Sequence, residues 1–182
     1  ATLTVNSAPT ITTQPQNTAV NAGANASFNV AASGTSPFTY QWQENSGSGF
    51  TTISGATAAA LTRNNVTSSM NGYQYRVVVT DNNGLSTTSN AATLTVNSAP
   101  TITTQPQNTA VNAGANASFS VAASGTSPFT YQWQENSGSG FTTISGATAA
   151  ALSRNNVTSS MNGYQYRVVV TDNNGLSTTS NA

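Results

Sequence analysis

Tyr73-Gln74-Tyr75-Arg76-Val77-Val78-Val79-Thr80 is the longest strand signal in the chain, and its alternation decides the fold. Tyr73, Tyr75, Val77 and Val79 share one face at the two-residue period of a β-strand, and that face is apolar enough to be buried. Asp81-Asn82-Asn83-Gly84 follows directly. Asp and Asn bond their own backbone in turns and Gly takes positive φ without a steric cost, so a hairpin is expected there. The returning strand runs over Leu85–Val96, with a bulge expected near Asn90-Ala91. In its second half Leu94 and Val96 face inward and Thr93 and Thr95 outward. A slip of one residue would put both sets on the wrong faces, so the register is well specified.

The same period appears on the N-terminal side. Phe38–Gln43 alternates Phe38, Tyr40 and Trp42 inward with Thr39, Gln41 and Gln43 outward. Ser27–Ala32 puts Phe28, Val30 and Ala32 on one face. Shorter strands are expected at Thr10–Thr13, Ala19–Val20, Phe50–Ile53 and Ala58–Thr62, the last with Leu61 inward. Asn45-Ser46-Gly47-Ser48-Gly49 reads as a turn. No segment has the helical period. Short Thr, Val, Tyr and Phe runs punctuated by Gly, Pro, Asn and Ser are the pattern of an all-β protein.

All of this occurs twice. Ser7–Asn97 recurs as Ser98–Ala182 with a period of 91 residues, and only two positions differ, Asn29 against Ser120 and Thr62 against Ser153. That period is too long for a solenoid repeat and right for one β-sandwich, so each copy is expected to carry its own core. The second copy stops before the segment Ala-Thr-Leu-Thr-Val-Asn, which stands instead at the start of the chain as Ala1–Asn6. The expected organisation is therefore residues 1–6 as the final strand of a preceding or partner repeat, 7–97 as a complete domain, and 98–182 as a second domain lacking the last half of its final strand. Two arrangements fit. The chain is one window on a long continuous array, or Ala1–Asn6 completes another molecule's sandwich by strand addition, with Leu3 and Val5 as the candidate assembly residues.

Trp42 on the third main strand, then Tyr75-Arg76-Val77 after the turn at Met70-Asn71-Gly72, resembles the immunoglobulin signature of a core Trp and a Tyr two residues before the second Cys. Pro9–Pro15, Tyr40–Gln43 and Ser89–Val96 resemble the tandem immunoglobulin-like repeats of large bacterial surface and secreted proteins. The resemblance covers essentially the whole chain and implies two tandem Greek-key β-sandwiches without a disulfide. It also implies that Val30 and Val77 occupy the two cysteine positions and pack on Trp42. Val121, Trp133, Tyr166 and Val168 repeat that set in the second copy. Such repeats serve mostly as stalks and scaffolds, so the resemblance is specific for fold rather than for function.

Composition narrows the function. The chain has no Cys, no His and no Lys. Disulfides, thiolate chemistry, Schiff bases and the commonest general base and metal ligand are excluded together. Charged residues are 4% of the chain and the net charge is zero, so there is no electrostatic footprint for nucleic acid or for a membrane surface. No apolar stretch approaches the roughly 20 residues of a membrane span. A Ser-, Thr- and Asn-rich surface with little charge fits an exported protein at the cell surface or outside it. No signal peptide and no membrane anchor are read within these residues.

Each copy holds two acids, Glu44 and Asp81, and two bases, Arg63 and Arg76. They read as turn chemistry and surface ion pairing rather than as a catalytic carboxylate pair, and the hydroxyls have no His or Lys to activate them. Asp81-Asn82-Asn83-Gly84 offers too few carboxylates for calcium, which takes six to eight oxygens. Asn25-Ala26-Ser27, Asn65-Val66-Thr67, Asn116-Ala117-Ser118 and Asn156-Val157-Thr158 match the glycosylation sequon, as chance allows in so Asn- and Thr-rich a chain. The outward face with Gln41, Gln43, Gln74, Arg76 and Val78 reads as a solvated sheet, kept open as a fibre–fibre contact. Outward Thr93 and Thr95 are explained by β propensity.

No enzyme and no cofactor are expected. The first function class is a structural repeat of an extracellular fibre, stalk or matrix, whose partners are other copies of itself. The second is an adhesin or carbohydrate-binding module meeting a surface polysaccharide, which would need exposed aromatic platforms. Most aromatics fit inward positions, and Phe50 is the main candidate for exposure. The short joint Val96-Asn97-Ser98-Ala99-Pro100 favours a stiff end-to-end rod. A final strand of about a dozen residues at roughly 3.3 Å each predicts about 40 Å of rod per domain.

Overall fold

In the computed structural model, which describes all of Ala1–Ala182, the chain forms two units, Ala1–Asn97 and Ser98–Ala182. The strands of the first unit are β1 (Thr10–Thr13), β2 (Thr18–Asn21), β3 (Ala26–Asn29), β4 (Ala31–Ser33), β5 (Thr39–Asn45), β6 (Phe50–Thr52), β7 (Ala60–Arg63), β8 (Gln74–Thr80), β9 (Ser86–Thr88) and β10 (Ala92–Asn97). One layer has the order β2-β10-β8-β5-β6, with β9 also on β8; β1-β4 and β3-β7 make the other. This is an immunoglobulin-like Greek-key sandwich.

The β5–β8 ladder is the spine of the unit. It pairs Trp42 with Val77, Tyr40 with Val79 and Glu44 with Tyr75. Trp42, Tyr75, Val77 and Val79 are fully buried. Phe28 comes from the opposite layer and lies 4.7 Å from the Tyr75 ring and 6.5 Å from Trp42, centroid to centroid, both tilted. Leu61, Val66, Leu94 and Val96 close the cluster. The Trp42 indole N–H donates to the Ala58 carbonyl at 2.9 Å, so the one polar atom of that ring costs nothing on burial.

The hairpin after β8 forms as its residues dictate. The Asp81 carboxylate oxygen Oδ1 accepts the backbone N–H groups of Asn83 and Leu85, each at 2.9 Å, and Gly84 takes φ +80°. The last strand is two pieces rather than one. It breaks over Ser89-Asn90-Ala91, where the Ser89 hydroxyl accepts the Val77 N–H at 3.0 Å and donates to the Asn90 carbonyl at 2.8 Å. A side chain thus makes the bond that the interrupted ladder gives up.

Two other strands differ from the sequence expectation. Ser27–Ala32 is split at Val30, because its first half pairs with β7 and its second with β1, so no residue is paired on both sides. Thr10–Thr13 and Thr18–Asn21 lie in opposite layers, and the chain crosses between them over Gln14-Pro15-Gln16-Asn17. Pro15 has no N–H to offer a ladder, which suits the crossing. The Gln14 and Asn17 side chains fix it by accepting the backbone N–H groups of Asn90 and Thr93 at 2.9 and 2.8 Å. β2 then runs parallel to β10, with Leu94 opposite Thr18 and Val96 opposite Val20. Gly34 is tightly placed: a Cβ on it would meet the Pro9 Cα at 3.3 Å, and its φ is +138°.

The second unit comprises β11 (Thr101–Thr104), β12 (Ala117–Ser120), β13 (Ala122–Ser124), β14 (Thr130–Asn136), β15 (Phe141–Thr143), β16 (Ala151–Arg154), β17 (Gln165–Thr171) and β18 (Ser177–Thr179). Trp133 pairs with Val168 and is fully buried, as Trp42 is. The unit has the counterpart of every strand of the first except β2 and β10.

Candidate functional site

Where β10 lies in the first unit, the second has a groove. Its volume is about 570 Å³, and Val111, Phe119, Val157, Met161, Tyr164 and Tyr166 are among the residues that line it. Without a neighbour, Thr109–Asn112 forms no strand although its sequence is that of β2. Val111 is 40% exposed, whereas Val20 packs against the core. Val157 and Phe119 are half-buried where Val66 and Phe28 are fully covered. Nothing in these side chains differs between units; the difference is one missing layer edge.

The groove also carries backbone chemistry. In the first unit Gly72 N–H donates to the Leu94 carbonyl and Leu94 N–H to the Tyr73 carbonyl, both at 2.8 Å. Ala22 N–H donates to the Asn97 carbonyl at 2.9 Å, and Asn71 Oδ1 accepts the Val96 N–H at 2.9 Å. Gly163, Tyr164, Ala113 and Asn162 are the matching residues around the groove. Ala1–Asn6 forms no strand, and Leu3 and Val5 are 86% and 80% exposed.

Val30, Trp42, Tyr75 and Val77 lie in one core cluster, and Val121, Trp133, Tyr166 and Val168 in the other. The Glu44–Arg63 pair is placed differently from expectation. Arg63 and Glu44 pair at 3.0 Å with both side chains mostly covered, at 29% and 21% exposure, and Arg63 Cζ lies 5.8 Å from the Tyr75 ring centroid. β5 and β7 belong to different layers, so this is a half-buried clasp between them and not a surface pair. The alternation itself was the signal: two residues on from Trp42 is Glu44, and two on from Leu61 is Arg63. Burial, reinforced by the Glu44 carboxylate, pushes the Tyr75 phenol far above its ordinary range, and Arg63 offsets this only in part. Tyr166 is shifted upward for the same causes, burial first.

Phe50 is only half-buried, and its ring face is not open. The Arg76 guanidinium stands 4.0 Å from its centroid, held there by Arg76 Nε donating to Gln43 Oε1 at 2.7 Å. Asp81 is buried and spends Oδ1 on its own turn. Asn25 Oδ1 accepts the Asn65 N–H at 3.0 Å, so this sequon Asn is a loop clip. No three His, Cys, Asp or Glu side chains gather as metal ligands. No helix is long and apolar enough to cross a membrane. Of the groove-lining residues, Tyr166 was expected in the core and Ala117, Val157 and Thr158 were noted in sequons, and the others were not singled out in the sequence.

The immunoglobulin domain family profile matches residues 8–81 and 99–172, and the chain belongs to that family. It is 36% identical over 177 residues to Endoglucanase C of Cellulomonas fimi, across 96% of this chain and 16% of that protein. The chain therefore spans about a sixth of that relative. Among solved structures it is similar to IG1+IG2 of DIP-gamma, with TM-score 0.63 and 13% identity over 97% of this chain and 96% of that one. It is also similar to an I-band fragment of titin, with TM-score 0.54 and 17% identity over 94% and 63%. Extracellular domains 3–5 of Drosophila OTK give TM-score 0.52 and 18% identity over 94% and 59%. At these identities the structures speak to fold alone.

Proposed function

We propose that the chain is a structural repeat of an extracellular or cell-surface fibre, stalk or matrix protein, in which immunoglobulin-like domains follow end to end as a stiff rod. The observation that carries this reading is the joint. Asn97 is fixed in the first unit, where its carbonyl accepts the Ala22 N–H at 2.9 Å and its side chain donates to Asn21 Oδ1 at 3.1 Å. Pro100 is buried in the second unit, and its carbonyl accepts the Thr178 hydroxyl at 2.6 Å. Only Ser98 and Ala99 stand between these anchors, too few for a flexible spacer.

Near-identity of the copies supports a role set by length, since binding arrays gain from divergence. None of the exposed large apolar side chains is aromatic, which leaves an adhesin or polysaccharide-binding reading without a platform. Likeness to a sixth of an endoglucanase supports a module that stands beside other domains and is not itself catalytic. Small-angle scattering of the chain tests the rod. The expected maximum dimension is about 80 Å, two domains of about 40 Å, unchanged by salt. A broad distribution of shorter dimensions, as from hinged beads, would refute it.

A further inference from the structure

We propose that Asn83 is a site of spontaneous covalent modification, where the Asn83–Gly84 link rearranges through a succinimide to isoaspartate, and that β10 withholds the same reaction from Asn71–Gly72. The inference is independent of the fibre reading and concerns the first unit, whose sandwich is complete.

An Asn side chain carries an electrophilic amide carbon one methylene from the backbone. The N–H of the following residue can therefore close a five-membered ring on it. A side chain on that following residue crowds the attack, and Gly has none. The first copy of the repeat has two Asn-Gly pairs, Asn71-Gly72 and Asn83-Gly84. At the second pair, hydroxide takes the Gly84 N proton and Gly84 N bonds to Asn83 Cγ. The Cγ–Nδ2 bond breaks, and that nitrogen takes a proton from water and leaves as ammonia. Water then opens the ring. Attack at the main-chain carbonyl leaves the chain running through Cγ as isoaspartate, and attack at Cγ gives aspartate. The net reaction consumes one water and releases one ammonia, with no oxidant or reductant.

The two pairs stand in opposite surroundings. Asn71 Oδ1 accepts the Val96 N–H at 2.9 Å, and Gly72 N–H donates to the Leu94 carbonyl at 2.8 Å. Both groups that must meet are thus held by β10, whose Leu94 is fully buried. Asn83 is exposed in the turn between β8 and β9, where its backbone N–H is bonded to Asp81 and its side chain has no hydrogen-bond partner. Gly84 N–H donates to the Asp81 carbonyl at 3.0 Å within the same turn, and a Cβ at Gly84 would meet nothing within 4 Å. Releasing one exposed turn bond frees this nucleophile, whereas freeing Gly72 requires the last strand to leave the sheet.

The product changes the turn that makes it. Asp81 Oδ1 holds the N–H groups of both Asn83 and Leu85 at 2.9 Å. Isoaspartate puts an extra methylene into the main chain between those two donors, so one oxygen no longer serves both. Either product also adds a negative charge near Asp81, in a chain whose net charge is zero. The hairpin thereby records the age of the chain, each event loosening a turn and making the protein more acidic.

Peptide mapping of the full chain aged at mildly alkaline pH tests this, read as the mass change of NH2 to OH, with fragmentation to place it. Cleavage after arginine puts Asn83 in residues 77–154 and Asn71 in residues 64–76. An Asn162→Gln background gives residues 155–167 a different mass from residues 64–76, whose sequence they otherwise share. Asn83 should convert, mainly to isoaspartate, and Asn71 at least about tenfold more slowly, because sheet opening is rarer than turn opening. In urea the two rates should converge. Leu94→Ala, which loosens β10, should speed Asn71 and leave Asn83 unchanged. An Asn83 that stays intact in the folded chain while it converts in urea overturns the proposal. Equal rates at the two sites in the folded chain overturn the protection by β10.

Discussion

Val96 lies directly opposite Val20 in the parallel ladder between the last strand and the second, and Leu94 beside it is fully buried. The equivalent of Val20 in the second unit, Val111, is 40% exposed. Burying a Leu and a Val contributes roughly 1.5–3 kcal/mol each. The first unit is therefore expected to be the more stable by several kcal/mol. Each unit holds one Trp, so urea unfolding followed by fluorescence in Trp42→Phe and Trp133→Phe variants reports the units one at a time. The second unit should unfold at the lower urea concentration, and Leu94→Ala should cost the first about 2–5 kcal/mol.

Trp42 fills the centre of the first unit and touches both layers through Phe28 and Val77. Trp42→Ala is expected to cost about 3–5 kcal/mol, enough to unfold that domain or nearly so. Calorimetry of the variant should show the first unit's transition lost, with the second in place. A melting point within a few degrees of the original would contradict the placement of Trp42 at the core.

Ser89→Ala removes the hydroxyl that accepts the Val77 N–H inside the sheet. A buried donor left without a partner costs about 1–3 kcal/mol. Thr88→Ala, one residue earlier and exposed, should change stability by less than about 0.5 kcal/mol. Chemical denaturation of the two variants compares them directly, and equal effects would mean that the bulge is not held by Ser89.

Tyr75 gives the fold an alkaline limit. Its phenol is shifted upward in the folded state, so the folded protein holds that proton more tightly than the unfolded chain does. The contribution is complete below the ordinary phenol range near pH 10 and is lost as pH rises above it. Thermal melts between pH 8 and 12 should show a steep fall above about pH 10, shallower in Tyr75→Phe, which keeps the ring. A fall of the same steepness in both would remove Tyr75 as the cause.

Much of this was legible in the sequence because period-two patterns survive folding unchanged. Tyr75, Val77 and Val79 are buried as their alternation requires, and Asp81–Gly84 turns as its residues require. The departures are tertiary. Nothing local says that Ser27–Ala32 changes partner at Val30, or that the chain changes layer at Pro15, because both depend on strands distant in sequence. Glu44 was legible but misread: its charge argued for the surface while its position in the Tyr40, Trp42 series put it inside, where Arg63 meets it. The groove was half legible. Thr109–Asn112 reads as a strand just as Thr18–Asn21 does, and only the structure shows it unpaired beside the groove.

The central claim is that the Ala92–Asn97 strand completes the first sandwich, and amide hydrogen exchange read by mass spectrometry tests it most directly. Asn17–Ala22 should be protected and Asn108–Ala113, the same sequence, should exchange rapidly. Adding a peptide of sequence Ala-Thr-Leu-Thr-Val-Asn should slow Asn108–Ala113 and leave Asn17–Ala22 as it was. Equal protection of the two segments before the peptide is added would contradict the account.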